Sequence, residues 1–160
     1  MHSTIFQLST ERLSKDEWIN ENTFLEDYGK FGIDYTNEDI DRREAIERLA
    51  DILPKSVFKV EGDKVTILNN GECLFEQYKK DLQQILDEMT YNKGTSSALA
   101  LGAYRLSKRA MRIIDCDSLF HIPDWNWLGT SNNILEYANY AFEKGEPKVL
   151  YIGGILDYHF

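Results

Sequence analysis

Cysteine is nearly missing from this chain: Cys73 and Cys116 are the only two in 160 residues. Two thiols cannot build a disulfide framework, and they fit the reduced state of a cytosolic protein. None is needed, because a domain of this length buries roughly 70% of the surface of its unfolded chain. Proline is scarce too, at three residues, and long apolar runs are lacking. The longest, "ALALGAY" at residues 98–104, falls far short of the roughly 20 residues of a membrane-spanning helix. The opening residues carry neither the basic nor the apolar segment of a secretion signal. The expectation is a soluble, cytoplasmic protein with no membrane partner.

Positive charge is in deficit. There are 18 bases against 27 acids, a net charge of −9, whereas binding to a phosphate backbone calls for a cationic surface. Nucleic acid is therefore a disfavoured partner. Histidine is limited to His2, His121 and His159, two of them near the chain ends, so histidine acid–base chemistry has essentially one candidate. The sequence has no G-x-G-x-x-G, phosphate loop, G-x-S-x-G, H-E-x-x-H or C-x-x-C. No complete nucleophile–base–orienter set is visible, and no cofactor is expected.

The patterns that are present predict mixed secondary structure. "STIFQLS", residues 3–9, alternates as a strand. "SKDE", residues 14–17, has the form of a capping box and predicts a helix from about Lys15 to Asp27 that buries Trp18, Ile19 and Leu25. A second helix should follow Asn37 and run to about Leu53, with Pro54 stopping it. "SVFKVEGDKVTILN" reads as a hairpin turning at Gly62-Asp63. Leu74, Phe75, Tyr78, Leu82, Ile85, Leu86 and Met89 recur at helical spacing and make the most regular apolar stripe in the chain. After "YNKGTSS", residues 91–97, comes a fourth helix with Leu99, Ala103, Leu106, Ala110 and Ile113 on one side. A fifth starts near Thr130 or Ser131 and ends at Gly145, a residue suited to a helix C-cap. "KVLYIGGILDYHF" closes the chain as a strand bulged at Gly153-Gly154. The sum is a single α+β domain over residues 1–160: two layers, with a small mixed or antiparallel sheet of about four strands covered by about five helices.

Rare residue types gather in "DCDSLFHIPDWNW", residues 115–127. A cysteine nucleophile there, Cys116 served by His121, is opposed by Asp115 and Asp117, since flanking anions disfavour a thiolate. Cys73, at a helix start, is better placed by the macrodipole but has Glu72 and Glu76 beside it. Asp115, Asp117, His121 and Asp124 are the metal-ligand alternative; oxygen and imidazole donors suit Mg²⁺, Mn²⁺ or Zn²⁺. That set would serve a metal-assisted hydrolase. Trp125 and Trp127 could stack on a flat ligand, or pin the loop to the core. The stretch reads best as a core-closing loop whose aspartates end the neighbouring elements.

Charge is unevenly distributed. Residues 11–51 hold 13 acids and 6 bases, while residues 93–114 hold five bases and no acid. Arg105, Lys108, Arg109 and Arg112 have offsets of 0, 3, 4 and 7 and so share one helix face. This cationic stripe, together with Trp125 and Trp127, is the expected contact surface for an anionic ligand or an acidic protein. A solvated face, or pairing with the acids of 11–51, is the structural alternative. The acidic segment itself suggests an imitation of DNA that inhibits a DNA-binding protein, although Arg42, Arg43 and Arg48 interrupt it. The reading that emerges is a small non-enzymatic binding or regulatory protein.

Overall fold

The computed structural model describes residues 2–22, 35–37, 39–89, 96–114, 116–122 and 127–159. The expectation of an α+β domain with a mixed sheet is met. The strands are β1 (His2–Ser9), β2 (Tyr35–Asn37), β3 (Phe58–Glu61), β4 (Lys64–Ile67), β5 (Leu119–Ile122), β6 (Trp127–Gly129) and β7 (Val149–His159). Six lie abreast in the order β3-β4-β7-β1-β5-β6, and β2 pairs with the far end of β7. Among the described strands only β1 and β5 run parallel. The expected hairpin forms, with Gly62 at φ +56° in its turn, and β4 pairs it to the C-terminal strand as the apolar run "VLYIGGIL" requires.

Four helices are described: α1 (Arg42–Ile52), α2 (Glu72–Glu88), α3 (Ser96–Ala110) and α4 (Ser131–Lys144). Asp41 caps α1 by accepting from the N–H groups of Arg43 and Glu44. Gly145 ends α4 at φ +72°, the left-handed conformation expected of a C-cap glycine. One sheet face, through Phe6, Leu8, Phe120 and Ile122 among others, joins Leu49 of α1 with Ile134 and Ala138 of α4 in the main core. The other face gives a smaller cluster, Ile5, Leu156 and Tyr158, against which Ile19 packs. Alternation along β1 sends Phe6 and Leu8 to one side and Ile5 to the other.

Four expectations need correction. The sheet has seven described strands where about four were expected, and the described helices number four where five were expected. Where a helix from Lys15 was expected, Lys15–Glu17 forms a 3-10 turn that the chain leaves in extended conformation at Trp18. Ser14 donates from its N–H and its hydroxyl to Glu17, so the capping signal is used, but on one turn. Leu25 lies outside the described residues. The stretch read as a core-closing loop contributes β5 and the first residue of β6. Strand β5 is only four residues long, Leu-Phe-His-Ile, and three of them in succession are buried, so it shows no alternation by which to recognise a strand.

Candidate functional site

The stretch at 115–127 does not bring a catalytic set together among the described residues. Cys116 is buried, and burial pushes its thiol above the usual range, away from the thiolate a nucleophile needs. His121 is buried in β5, in register with Gln7 of β1. Asp117 faces Arg112, which donates to its carboxylate and holds its pKa below the usual carboxylate range. Asp115, Asp124 and Trp125 lie outside the described residues, and Trp127 opens β6 opposite Ile122. Among the described residues no cluster of three or more His, Cys, Asp or Glu side chains could hold a metal ion. Cys73 is exposed at the start of α2, its sulfur 3.9 Å from the Ser56 hydroxyl.

The basic stripe is largely engaged within the chain, though not with the acids of 11–51. Arg105 pairs with Glu88 at 3.2 Å and Arg109 with Asp81 at 2.7 Å, both across to α2. Arg112 meets Asp117 and donates to the Cys116 carbonyl. Arg109 is the most enclosed: its guanidinium also reaches the carbonyls of Arg112 and Ile113 and stacks on Tyr78. Lys108 lies 5.3 Å from the Tyr104 ring centre. Three carboxylates thus offset most of the stripe's charge. In the acidic segment, Arg43–Glu47 and Arg48–Glu44 form exposed i,i+4 pairs along α1, the pattern of a salt-bridged solvent face.

A different site is assembled where β1, β7, the 3-10 turn and the start of α1 meet. It is held together by Gln7, a buried amide flanked by Phe6 and Leu8 in β1. Gln7 Oε1 accepts from the N–H of Ile19 (3.0 Å) and of Gly154 (2.7 Å), and Nε2 donates to the Glu17 carbonyl (3.1 Å). The side chain thereby replaces the hydrogen bonds that a longer helix after Lys15 would have supplied. The pairing of β1 with β7 slips at this point, between Phe6 and Leu8. The slip accommodates Gly153-Gly154, where a Cβ would fall 2.5 Å from Gln7 Oε1 or from the Ile19 carbonyl oxygen. No larger residue fits either position without moving backbone or this amide.

Arg42 anchors the other wall. As the first residue of α1 it turns onto β7, donating to the carbonyls of Gly153 (2.5 Å) and Ile152 (2.6 Å). Its guanidinium lies 4.4 Å over the Trp18 ring. Partial burial lowers its pKa from the usual arginine value, with Asp63 acting in the opposite direction; an arginine starting so high stays charged. Between these walls is a cleft of about 580 Å³, lined by Lys15, Trp18, Ile19, Asn20, Asn22, Ile40, Arg42, Gly154 and Ile155. That lining has two cations, amide donors, an indole and aliphatic surface, and no carboxylate among the described residues. On the other side of Arg42 a second cleft, of about 550 Å³, contains Glu47 and Asp63 and is less suited to an anion.

No family model, curated protein or solved structure matches this chain.

Sequence reasoning selected neither Gln7 nor Trp18 nor Arg42 as a site residue. Two signals were available: a glutamine inside the apolar run of β1, and a paired glycine inside a strand.

Proposed function

We propose that this chain is a non-enzymatic binding protein for a small organic anion, held in the cleft between Lys15, Trp18 and Arg42. The observation that carries this reading is the charge of the lining: two cations and no carboxylate among its described residues, in a protein whose net charge is −9. Such a pocket, with an apolar wall and a few convergent polar groups, is the usual form of a small-molecule site. The anion would lie against Lys15 and the open donors of Arg42, with its flat or apolar part against Trp18 and Ile155. The basic stripe, whose arginines are engaged by Glu88, Asp81 and Asp117, gives weaker support to an anion site. Arg42 also serves the fold through β7, so the cleaner probe of binding is the exposed Lys15.

The test is a thermal-shift titration with phenyl phosphate, with inorganic phosphate in parallel. At about ten times Kd, binding to the folded state alone adds about 1.4 kcal/mol. That is worth roughly 2–4 °C per kcal/mol in Tm for a domain of this size. The expected result is a shift with phenyl phosphate that exceeds the shift with phosphate and is lost in Lys15→Gln. No shift with phenyl phosphate, or one that Lys15→Gln retains in full, would contradict the assignment.

A further inference from the structure

Strand β7 has one open stretch along an edge. Towards β1 it is paired over residues 151–159. On the other edge β4 reaches only to Tyr151, and β2 starts only at Asp157. Residues 152–156 have no strand partner on that edge among the described residues. Hydrogen bonds show how the backbone points there. The Ile152 N–H donates to the Asp63 carbonyl, and the Ile152 and Gly153 carbonyls both accept from Arg42. Two successive carbonyls on one edge mark the bulge, and the Gly154 N–H accordingly turns the other way, to Gln7. Alternation resumes beyond it, so Leu156 faces β1 and Ile155 presents its N–H and C=O to the open edge. Among the described residues no backbone group on that edge takes them up. The opening lies in the cleft of about 580 Å³, where Gly154 and Ile155 line one wall and Lys15, Trp18 and Arg42 stand around it.

We infer that the ligand of this cleft is a dipeptide with a free C-terminal carboxylate, paired with Ile155 as a short extra piece of strand; the inference rests on the cleft being an anion site. A peptide residue opposite Ile155 donates its N–H to the Ile155 carbonyl and accepts from the Ile155 N–H. Direction decides where the carboxylate goes. Every strand beside β7 runs antiparallel to it. A peptide that keeps this pattern carries its last residue from Ile155 back towards Gly153, where Arg42 is fixed on two carbonyls. A guanidinium has five N–H donors, of which the carbonyls take two, and the rest are left for a carboxylate. Side chains alternate between faces along a strand. The residue opposite Ile155 shares the main-core face, so the last side chain falls on the face where Ile19 packs, next to Trp18. An aromatic or aliphatic last residue is therefore preferred. Length is limited too, because on the N-terminal side of the peptide the edge is taken by Asn37, paired with Asp157. The gap suits a dipeptide and not the tail of a longer chain.

The probe is N-acetylalanyl-phenylalanine, titrated into the full chain by calorimetry, with amide hydrogen exchange followed at Ile155. Its C-terminal amide lacks the charge, and its analogue methylated on the alanine nitrogen keeps the charge but has no N–H to donate. Each should bind about tenfold more weakly than the parent. Further alanines added at the N-terminus should bring no gain in affinity. Exchange at Ile155 should slow with the peptide and stay unchanged with phenyl phosphate. An N-methylated analogue that binds as well as the parent overturns the inference. So does a tenfold gain from the added alanines, or unchanged exchange at Ile155 under saturating peptide. In each of these cases phenyl phosphate binding that Lys15→Gln abolishes would still uphold the anion site. Failure of the anion site shows differently: the peptide amide then binds as well as the carboxylate, and phenyl phosphate gives no response.

Discussion

Gln7 ties β1 to β7 and to the 3-10 turn and its exit. Its amide gives two acceptor bonds and one donor bond to backbone groups of three separate positions. Replacing it with alanine strands the N–H groups of Ile19 and Gly154 and the Glu17 carbonyl. Leaving buried backbone groups unpaired costs about 1–3 kcal/mol each, less where water can enter. Because Glu17 is exposed and Ile19 half-buried, a total of about 2–3 kcal/mol is expected for Gln7→Ala. Chemical denaturation should show this as a lower midpoint; a loss under about 0.5 kcal/mol, typical of a surface change, would mean that the amide does not hold the cleft floor. The two cysteines separate by the same logic of environment. Cys73 is exposed and Cys116 is buried with its thiol pushed up. A chromogenic disulfide reagent should modify one thiol per native chain promptly and the second only on unfolding. Two fast thiols in the native protein would contradict the placement of Cys116.

The helices show which parts of the fold were legible in the sequence. Gly145 after α4 acts as its type suggests, and the Gly62 hairpin forms at its expected place, whereas α1 starts at Arg42 behind its cap Asp41, four residues later than a start after Asn37. These are local signals, carried by residues a few positions apart. Helix α2 was legible as a helix but not in its burial: the stripe is regular, yet Leu74 alone of it packs against the main core and no α2 side chain is fully buried. Periodicity reports an apolar face and does not name what covers it. The 3-10 turn at Lys15–Glu17 was not legible, because the group that ends it, Gln7, comes from another strand. The cleft was hidden for the same reason: residues 7, 18, 42 and 154 converge only through the sheet. Between α2 and α3 the stripe arginines are unequal. Arg109, with its side chain 13% exposed, holds Asp81, two carbonyls and the Tyr78 ring, whereas Arg105, 56% exposed, holds Glu88 alone. Arg109→Ala should cost about 1.5–3 kcal/mol, the range for hydrogen bonds to charged groups. Arg105→Ala should cost about 0–1 kcal/mol, as for exposed pairs. Equal losses in urea melts would show that the stripe is uniformly solvated.

At the scale of the whole molecule, the charge is arranged by place. The protein is acidic in sum, and its exposed arginines on α1 pair with acids of their own helix. Two bases of α3, Arg105 and Arg109, are met by acids of α2, and Arg112 just beyond its end by Asp117. In the cleft at the junction of β1, β7 and α1, Lys15 and Arg42 share a wall with Trp18, with no carboxylate among the described lining residues. Among the described residues no helix is long and apolar enough to cross a membrane. An acidic molecule repels anions at long range, so an anion that does bind must be held by contacts inside such a cleft, and added salt should weaken that binding only moderately. The most direct measurement is a two-dimensional ¹H–¹⁵N NMR titration of the full chain with phenyl phosphate. Saturable shifts are expected at the Gly154 and Ile19 amides and the Trp18 indole N–H, with Arg105, Lys108, Arg109 and Arg112 unmoved. Shifts concentrated at those four residues, or none at the cleft under saturating probe, would contradict the assignment of the cleft as the binding site.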